Sequence, residues 1–306
     1  MRRQQRIGSG TIFMGLERLG KTQTISGRSN RTTARYPAPG GLLAVVMGWF
    51  WRAAYRIYEQ RLAGQVSAGE MPRHVGIILD GNRRHALARG VQQPETVYRA
   101  GAAKLDDVIA WSISLGIPMI TLWVFSLDNL RRSESEVSGI FTAVEHKLRA
   151  LAADGSLQQH GVHLTVVGRR EVLPPGLVEA IEHAEAVTRD NHRITLNLAV
   201  GYGGREEIVD ALRSLLTNDA AQGLTATEAA AAITPEAISA HLYRADLPDP
   251  DLIIRTSGEA RLSGFLLWQS VHSELYFCDV NWPAMRRIDY LRAIRSYQRR
   301  ERRFGA

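Results

Sequence analysis

The sequence predicts an α/β protein with a single domain built on a central, mostly parallel six-stranded sheet that is flanked by helices. Short apolar runs alternate along the chain with longer segments of helical spacing, which is typical of parallel sheets covered on both faces. Polar residues follow several of these runs, as expected where the carboxyl ends of parallel strands meet. A chain of 306 residues with 45% hydrophobic content can bury one sizeable core.

The apolar runs place the strands near residues 74–80, 118–126, 163–169, 194–202, 251–257 and 274–280. Helical spacing between them covers residues 99–115, 134–153, 177–189 and 206–216. An alanine-rich stretch, 222–240, also favours helix. Asp80, Ser126, Gly201 and Arg255 each stand where a strand ends, so we expect four loops to meet in one crevice.

Residues 1–40 carry the whole net charge of +7, with eight Lys or Arg against one Glu. They are rich in Ser, Thr, Gly and Arg and lack apolar periodicity, which predicts a disordered basic segment. The remaining charges balance, so the pI of 9.8 does not indicate nucleic-acid binding.

Residues 41–70 are predicted to form an amphipathic helix and a linker, with Val45, Trp49, Ala53 and Ile57 on one side. Such a helix caps a domain or lies on a partner, but the aromatic residues at 49–51 beside arginines also suit peripheral contact with a membrane. No apolar run is long enough to span a bilayer. The single cysteine, Cys278, lies in an apolar run as a core residue, and a reduced cytoplasmic setting fits.

The most informative motif is HVGIILDGNRRHA at residues 74–86. An apolar run ends there at Asp80, and Arg83 and Arg84 follow after a Gly-Asn turn. Asp-Gly-Asn is also ordinary turn chemistry, so this segment alone proves nothing. If a helix begins at Asn82, its first amides and the two guanidiniums would lie beside the carboxylate, which suits an anion delivered with a divalent metal.

A second motif, at residues 251–282, strengthens this interpretation. An apolar run stops at Arg255 in RTSGEARLSG, and Arg261 then precedes Ser263 by two residues. Paired arginines with a hydroxyl are how proteins bind phosphate oxygens. A lone acidic residue, Glu274, opens the next apolar run.

With FSLDNLRR at 125–132 and GYGGREEI at 201–208, these motifs resemble those of the cis-prenyltransferases, the Z-type isoprenyl diphosphate synthases. The resemblance runs from residue 74 to 287, with four motifs in the family's order. Within the family, the sequence is most similar to the actinobacterial short-chain members that make Z,E-farnesyl diphosphate. The resemblance implies a catalytic domain at residues 71–306, an apolar substrate tunnel and a homodimer.

The implied activity is Mg²⁺-dependent condensation of isopentenyl diphosphate with a short allylic diphosphate, geranyl diphosphate by preference, to a Z-configured prenyl diphosphate. The alternatives are a long-chain polyprenyl diphosphate synthase for a cell-wall lipid carrier and a non-catalytic prenyltransferase-like subunit. A nucleotide-binding protein is disfavoured, because no Walker lysine loop or G-x-G-x-x-G turn follows a strand.

The resemblance also implies residue roles. Asp80 is expected to organise Mg²⁺ and diphosphate, and Asn129 to assist proton removal through a hydrogen-bond relay, since an amide is a poor base. Glu274 is expected to reach the metal across the dimer interface, unless it is only a rim carboxylate. The implied substrate-binding residues are Gly81, Asn82, Arg83, Arg84, His85, Ser126, Leu127, Asp128, Leu130, Arg132, Arg255, Arg261, Leu262 and Ser263.

The chain departs from the family's pattern in two places. His85 stands where an aromatic residue is usual, and Tyr98 replaces a histidine in a segment, 91–98, that also lacks an arginine. Val124 falls where longer-chain enzymes have a smaller residue. We therefore expect Val124 to help close the tunnel after one or a few condensations.

Overall fold

Six parallel strands form one sheet in the computed structural model, which describes residues 42–300. Their order across the sheet is β3-β4-β2-β1-β5-β6, and every neighbouring pair is parallel. The predicted fold class is confirmed, and the sheet is wholly rather than mostly parallel. The predicted disordered segment 1–40 lies outside the described residues. The strands are β1 (His74–Ile78), β2 (Met119–Ser126), β3 (Val162–Val167), β4 (Ile194–Tyr202), β5 (Leu252–Arg255) and β6 (Glu274–Phe277).

Ten α-helices accompany the sheet within residues 42–300, and all four predicted helical segments are among them. The alanine-rich stretch forms two short helices, because Pro235 begins the second and Thr234 caps it by accepting from the Ala237 amide at 3.1 Å. The helices are α1 (Leu42–Ser67), α2 (Asn82–Leu87), α3 (Pro94–Leu115), α4 (Glu134–Ala153), α5 (Ser156–His160), α6 (Pro175–Thr188), α7 (Gly204–Ala221), α8 (Ala226–Ala232), α9 (Pro235–Ala240) and α10 (Arg287–Gln298).

Both faces of the sheet are covered, because alternate strand residues enter two different apolar clusters. Ile77 and Ile254 belong to the larger cluster, which buried residues of α3, α4, α6 and α10 complete. Their chain neighbours Ile78 and Ile253 belong to a smaller cluster around Phe265. This two-sided burial explains why the strands are continuous apolar runs.

The sheet has its topological switch point at β1, which has β2 on one side and β5 on the other. Asp80, Ser126 and Arg255 stand at the carboxyl ends of these three strands. Open α/β sheets bind their ligands at such a point. The fold therefore brings together the motifs at residues 74–86, 125–132 and 251–282.

Helix α1 contacts the core through residues of its C-terminal half. Leu62 and Val66 are buried, and Tyr55 lies half-buried against the same core. On the predicted side, Ile57 is 53% exposed and Trp49 is 71% exposed, while the side chain of Val45 lies outside the described part of the structure. Among the helices within residues 42–300, none has both the length and the apolarity needed to cross a membrane.

His74 is a buried histidine at the start of β1, 3% exposed. Its Nδ1 lies 2.7 Å from the Pro248 carbonyl oxygen and so carries the proton, while Nε2 accepts from the Thr121 hydroxyl at 2.7 Å. Burial lowers the pKa of His74 to about 4. The folded protein thus holds this imidazole neutral in a pH range where an unfolded chain would protonate it.

We expect His74 to make stability pH-dependent, contributing about 2 kcal/mol less at pH 5 than at pH 7. In the unfolded chain His74 has a pKa of 6.5 and binds a proton below that pH, whereas in the folded chain it stays neutral down to about pH 4. Stability is therefore lost as the pH falls through this window. Urea unfolding at the two pH values measures this. His74→Gln should lose about 2 kcal/mol less than the wild type, and equal losses in both proteins would contradict the assignment.

Candidate active site

Thr256, at the end of β5, fixes the chain just beyond β1. It is fully buried, and its Oγ1 lies 2.9 Å from the Asp80 amide nitrogen and 2.8 Å from the Asp80 carbonyl oxygen. Gly81 follows with φ of +98°, where a Cβ would overlap the Asn281 side chain. Only glycine makes this turn without strain, and the turn leads directly into α2. The local sequence therefore places the Asp80 carboxylate at the carboxyl edge of the sheet.

Arg255 is the buried cation of the site, 5% exposed. Its Nη2 lies 2.9 Å from Asp80 Oδ2, and its Nη1 donates to Ser263 Oγ at 2.8 Å and to the Arg261 carbonyl oxygen at 2.5 Å. The Gly81 amide donates to the other Asp80 oxygen, Oδ1, at 2.7 Å. Among residues 42–300 the Arg255 Nε is buried without a hydrogen-bond partner. A guanidinium held on several sides keeps its charge in one orientation.

Arg84 and Arg261 share one carboxylate, that of Glu259. Arg84 Nη2 lies 2.6 Å from Oε1, and Arg261 Nη1 lies 2.5 Å from Oε2. Arg84 Nη1 also donates to the Ser257 carbonyl oxygen at 2.7 Å. These guanidiniums hold the pKa of Glu259 below its usual range. Both arginines are more than half exposed, so a ligand oxygen can replace the carboxylate at small cost.

Arg83 and Arg132 meet in the same way on Glu136. Arg132 Nη1 lies 2.8 Å from Glu136 Oε1 and Arg83 Nε lies 3.5 Å from it. The Tyr98 hydroxyl donates to that oxygen at 2.6 Å and accepts from Arg132 at 2.9 Å. Burial favours a higher pKa for Glu136, but the hydroxyl and the guanidiniums outweigh it and the pKa is lowered. Burial and Glu136 raise the pKa of Tyr98, which therefore keeps its proton.

Five arginines line one polar crevice of about 410 Å³ at the carboxyl end of the sheet. Most of the expected site residues are brought together there. Those that line it are Asp80, Gly81, Asn82, Arg83, Arg84, Ser126, Asp128, Asn129, Arg132, Arg255, Arg261 and Ser263.

Four of the expected substrate-binding residues do not line this crevice. Leu262 packs against the smaller apolar cluster, Leu130 is 41% exposed, and Leu127 begins a 3₁₀ turn, Leu127–Arg131. His85 lies beside Arg89, whose Nη1 is 3.3 Å from His85 Nδ1. Burial and then the Arg89 charge lower the pKa of His85. The expected substrate-binding role of these four residues stays a prediction.

Asn129 stands in the 3₁₀ turn after β2, and its Oδ1 accepts from the Ser126 amide at 3.2 Å. Because the side-chain oxygen is engaged, the NH₂ group is the end that can serve a ligand. Asn129 lines the crevice, so this group is a candidate donor there.

An apolar cavity of about 60 Å³ opens from the crevice and runs between α3, α4 and the sheet. Its walls include Leu105, Val144, Leu148 and Leu198. This small cavity lies beside the crevice, where a substrate tunnel would begin, and the tunnel itself stays a prediction. The crevice and the cavity share five residues, which form the mouth: Leu79, Asn82, Tyr98, Val124 and Ile140.

Val124 and Phe125 both face the larger apolar cluster, because β2 is irregular at this point. The register of β2 against β4 shifts between Trp123 and Phe125. Trp123 stacks on Phe265 with centroids 5.4 Å apart, whereas Phe125 packs on Phe141 in the other apolar cluster. The irregularity breaks the alternation that would put both aromatic rings on one face.

The GYGGREEI motif does not line the crevice, contrary to the expectation that four loops meet there. Instead it supports the RTSGEARLSG loop. The Gly204 amide donates to the Gly264 carbonyl oxygen at 3.1 Å, and a Cβ on Gly204 would clash with that oxygen. Buried Glu207 accepts from the Tyr202 hydroxyl at 2.6 Å and from Gln269 at 3.2 Å. The motif has glycines because two backbones approach closely.

Glu274 begins β6 and pairs in register with Leu252, the first residue of β5. Asp80 contacts Arg255, the last residue of β5, so the two acids lie at opposite ends of that strand, about 10 Å apart along it. Glu274 instead forms an ion pair with Arg300. Within one chain it does not join Asp80, and its expected metal role across a dimer interface stays a prediction.

Three residues that support the site were not predicted from the sequence: Thr256, Glu136 and Glu259. Glu259 lies between two arginines of its own motif, and Glu136 follows Arg132 by four residues, which is ion-pair spacing on a helix. These signals could have identified both acids. Nothing in the sequence marks Thr256, whose role depends on the pairing of β1 with β5.

Known proteins share this architecture and sequence. Residues 78–305 match the model of the Prenyltransf family, whose description is undecaprenyl diphosphate synthase. An isoprenyl transferase of Deinococcus radiodurans is 53% identical over 81% of this chain and 90% of its own length. A (2Z,6E)-farnesyl diphosphate synthase of Thermobifida fusca is 47% identical over 85% of this chain and all of its own.

Solved structures agree. The lavandulyl diphosphate synthase of Lavandula x intermedia, determined with dimethylallyl diphosphate, matches with a TM-score of 0.71 and 34% identity. The match covers 77% of this chain and 99% of that protein. A shared sheet, an arginine-lined crevice at its switch point and these sequence matches lead to one conclusion: the chain belongs to the undecaprenyl diphosphate synthase family and is a prenyl-transferring enzyme of the cis-prenyltransferase kind.

Proposed function

We propose that this enzyme condenses isopentenyl diphosphate with a short allylic diphosphate, geranyl diphosphate by preference, to form Z,E-farnesyl diphosphate. The observation that carries the proposal is the junction of an arginine-lined crevice with a narrow apolar cavity. Arginines match diphosphate groups, and an apolar cavity matches a prenyl tail. The product named for the Thermobifida fusca relative supports the Z,E assignment.

The reaction breaks the carbon–oxygen bond of the allylic diphosphate and forms a carbon–carbon bond with the double bond of isopentenyl diphosphate. Inorganic diphosphate and a proton are released. Arg83 and Arg84, with Gly81 and Asn82, would bind the departing diphosphate as fixed positive charges. The apolar cavity would keep water away from the allylic cation.

Arg255, Arg261 and Ser263 would hold isopentenyl diphosphate on the other side of the crevice. Arg132 would contact phosphate from α4's side of the mouth. The Asn129 amide would pass the departing proton along a hydrogen-bond relay, since it cannot itself act as a strong base. Each of these arginines rests on a carboxylate before a ligand arrives, so its position is fixed in advance.

Asp80 is the residue that would hold Mg²⁺. Its carboxylate lies among phosphate-binding arginines, and the described residues contain no group of three or more acids, histidines or cysteines arranged for a metal. A single protein carboxylate together with the substrate's own phosphates fits Mg²⁺, which commonly binds through one or two carboxylates and phosphate oxygens. When bound, the ion would neutralise charge on the leaving diphosphate. In a homodimer, Glu274 of the second copy would be the further carboxylate.

We expect Val124→Ala to shift the products towards longer chains. Val124 is half-buried at the cavity mouth, and removing its two methyl groups widens the passage for a growing tail. Incubation with labelled isopentenyl diphosphate and chromatography of the products measures this. The control is Val209→Ala, on α7 and 44% exposed. Product lengths equal to those of the wild type would exclude Val124 as a determinant.

The whole proposal is tested by incubating the protein and Mg²⁺ with labelled isopentenyl diphosphate and dimethylallyl, geranyl or E,E-farnesyl diphosphate. A fifteen-carbon Z,E product from geranyl diphosphate supports it. A ladder of fifty or more carbons would instead make this a polyprenyl carrier synthase. No incorporation from any primer would favour a subunit that needs a partner.

We also propose a cytoplasmic homodimer whose helix α1 touches the membrane surface. Trp49, Phe50 and Trp51 are 71%, 66% and 65% exposed, and Arg52 and Arg56 are exposed nearby. Exposed aromatics beside arginines suit a bilayer interface. Light scattering tests the dimer, and flotation with anionic vesicles tests the membrane contact.

A further inference from the structure

We propose that the ion pair between Lys147 and Asp106 closes the apolar cavity and limits product length. It would do so by separating the cavity from a second groove, which lies where α3 and the end of α4 meet α5 and β3. This inference rests on the proposed function and deepens it, because it names the group that stops the growing tail.

Positions along the two helices show that Lys147 lies at the far end of the cavity. On α4, Ile140 belongs to the mouth and Lys147 lines only the cavity. The two residues are two helical turns apart, about 10 Å along the axis. On α3, Tyr98 belongs to the mouth, and Leu105 lies two helical turns further along, at the same depth as Lys147. Asp106 is the next residue in the chain.

The ion pair itself spans the two helices. Lys147 Nζ lies 2.5 Å from Asp106 Oδ1, and the lysine side chain is only 15% exposed. The Asp106 side chain is 56% exposed. The lysine therefore passes its aliphatic stem along the cavity wall and carries its charge towards the surface, where the carboxylate meets it.

Beyond the pair lies a groove of about 340 Å³ with mostly apolar walls. Asp106 lines this groove, whereas Lys147 lines the cavity, so the pair stands between the two spaces. Ile109 and Ile113 continue the groove along α3, and Leu151 continues it along α4. The groove is completed by α5 and the start of β3, including the polar residues Ser156 and His160. In this proposal, removing the pair lets a growing tail extend from the cavity towards the groove.

A hydrocarbon tail cannot easily pass this point. It would have to separate the ammonium from the carboxylate or strip water from both, and it offers no polar group in return. The sequence pattern is consistent with a special role, because Ile140, Ala143, Val144 and Leu148 make an apolar row on this face of α4 in which Lys147 alone is charged. The ion pair would therefore limit chain length through its charge, without filling the cavity.

The primary test compares product lengths of the wild type and Lys147→Met with geranyl diphosphate as primer. Methionine keeps an unbranched apolar stem and removes the ammonium. We expect the main product to gain at least one isoprene unit, while the rate of the first condensation stays within about threefold because the crevice is untouched. Lys147→Arg, which can keep the ion pair, should give the wild-type product.

Lys104→Met is the matched control. Lys104 pairs with Asp107 at 2.6 Å, with side-chain exposures of 17% and 51%, close to those of the Lys147 pair. It lies on α3 but lines neither the cavity nor the groove. Its variant should leave product length unchanged. A longer product from this variant would show that the shift is a general effect of removing a lysine and would overturn the inference.

A binding series provides a second readout that needs no turnover. Affinity for prenyl diphosphates of fifteen, twenty and twenty-five carbons is measured by quenching of tryptophan fluorescence. We expect affinity to stop rising with length in the wild type and to keep rising in Lys147→Met. Equal length dependence in the two proteins, or unchanged products, would overturn the inference. Failure of the wild type to turn over any primer would overturn the proposed function alone, because the binding series still decides the role of the ion pair.

Discussion

Asp80→Asn should lower kcat by about a thousandfold, or about 4 kcal/mol of transition-state stabilisation. The substitution keeps the shape of the side chain and its contact with the Gly81 amide, but it removes the charge that would hold Mg²⁺ beside the leaving diphosphate. Steady-state rates with isopentenyl and geranyl diphosphates, at saturating Mg²⁺, measure the loss. The thermal midpoint should also fall, because the buried Arg255 guanidinium loses the negative charge of its Asp80 partner, so rates are compared at a temperature where both proteins are folded.

Asp246→Asn is the control for this result. Asp246 also pairs with an arginine, Arg244, with Oδ2 lying 2.7 Å from Nη2, and it lies outside the crevice. Its variant should keep activity within about threefold of the wild type. If Asp80→Asn retained a tenth or more of the wild-type rate, the carboxylate would not be the metal-binding group, and the proposed mechanism would need another acid.

The sequence predicted those parts of the site that depend on local chemistry. A strand that ends in Asp80 and turns through Gly81 needs only neighbouring residues to be recognised, and the structure places both at the crevice. Arg255 and Ser263 were equally visible, since both lie in one short motif. Alternation of apolar runs with helical spacing was sufficient for the sheet, because a buried parallel strand differs in composition from the helices around it.

Features that depend on pairing across the sheet were not predictable in this way. The irregularity in β2 turns Trp123 away from Phe125, and it arises from the register against β4 rather than from the local pattern. The sequence predicts that the GYGGREEI segment joins the crevice because it ends a strand, whereas Gly204 lets its backbone approach the Gly264 carbonyl oxygen closely. The position of Glu274 was not predictable for the same reason. Strand register places it beside the first residue of β5, at the end of that strand away from Asp80.

Arg255→Lys should lower kcat/KM for isopentenyl diphosphate by about a hundredfold, or about 3 kcal/mol. The guanidinium of Arg255 contacts the Asp80 carboxylate, the Ser263 hydroxyl and the Arg261 carbonyl group at once. A lysine ammonium keeps the charge but cannot reproduce this planar arrangement. The loss should appear mainly as a higher KM for isopentenyl diphosphate, whereas Asp80→Asn should act mainly on kcat. Arg244→Lys, outside the crevice, is the matched control and should retain near wild-type kinetics.

The double variant, with both Asp80→Asn and Arg255→Lys, separates a shared function from two independent ones. Because the two side chains form one ion pair of 2.9 Å, the combined loss in kcat/KM should be smaller than the sum of the single losses by at least about 1 kcal/mol. Contacting residues that act as a unit show this non-additivity. If the losses simply added, Arg255 would bind substrate without positioning Asp80. The proposed link between the metal-binding carboxylate and the isopentenyl diphosphate site would then be lost.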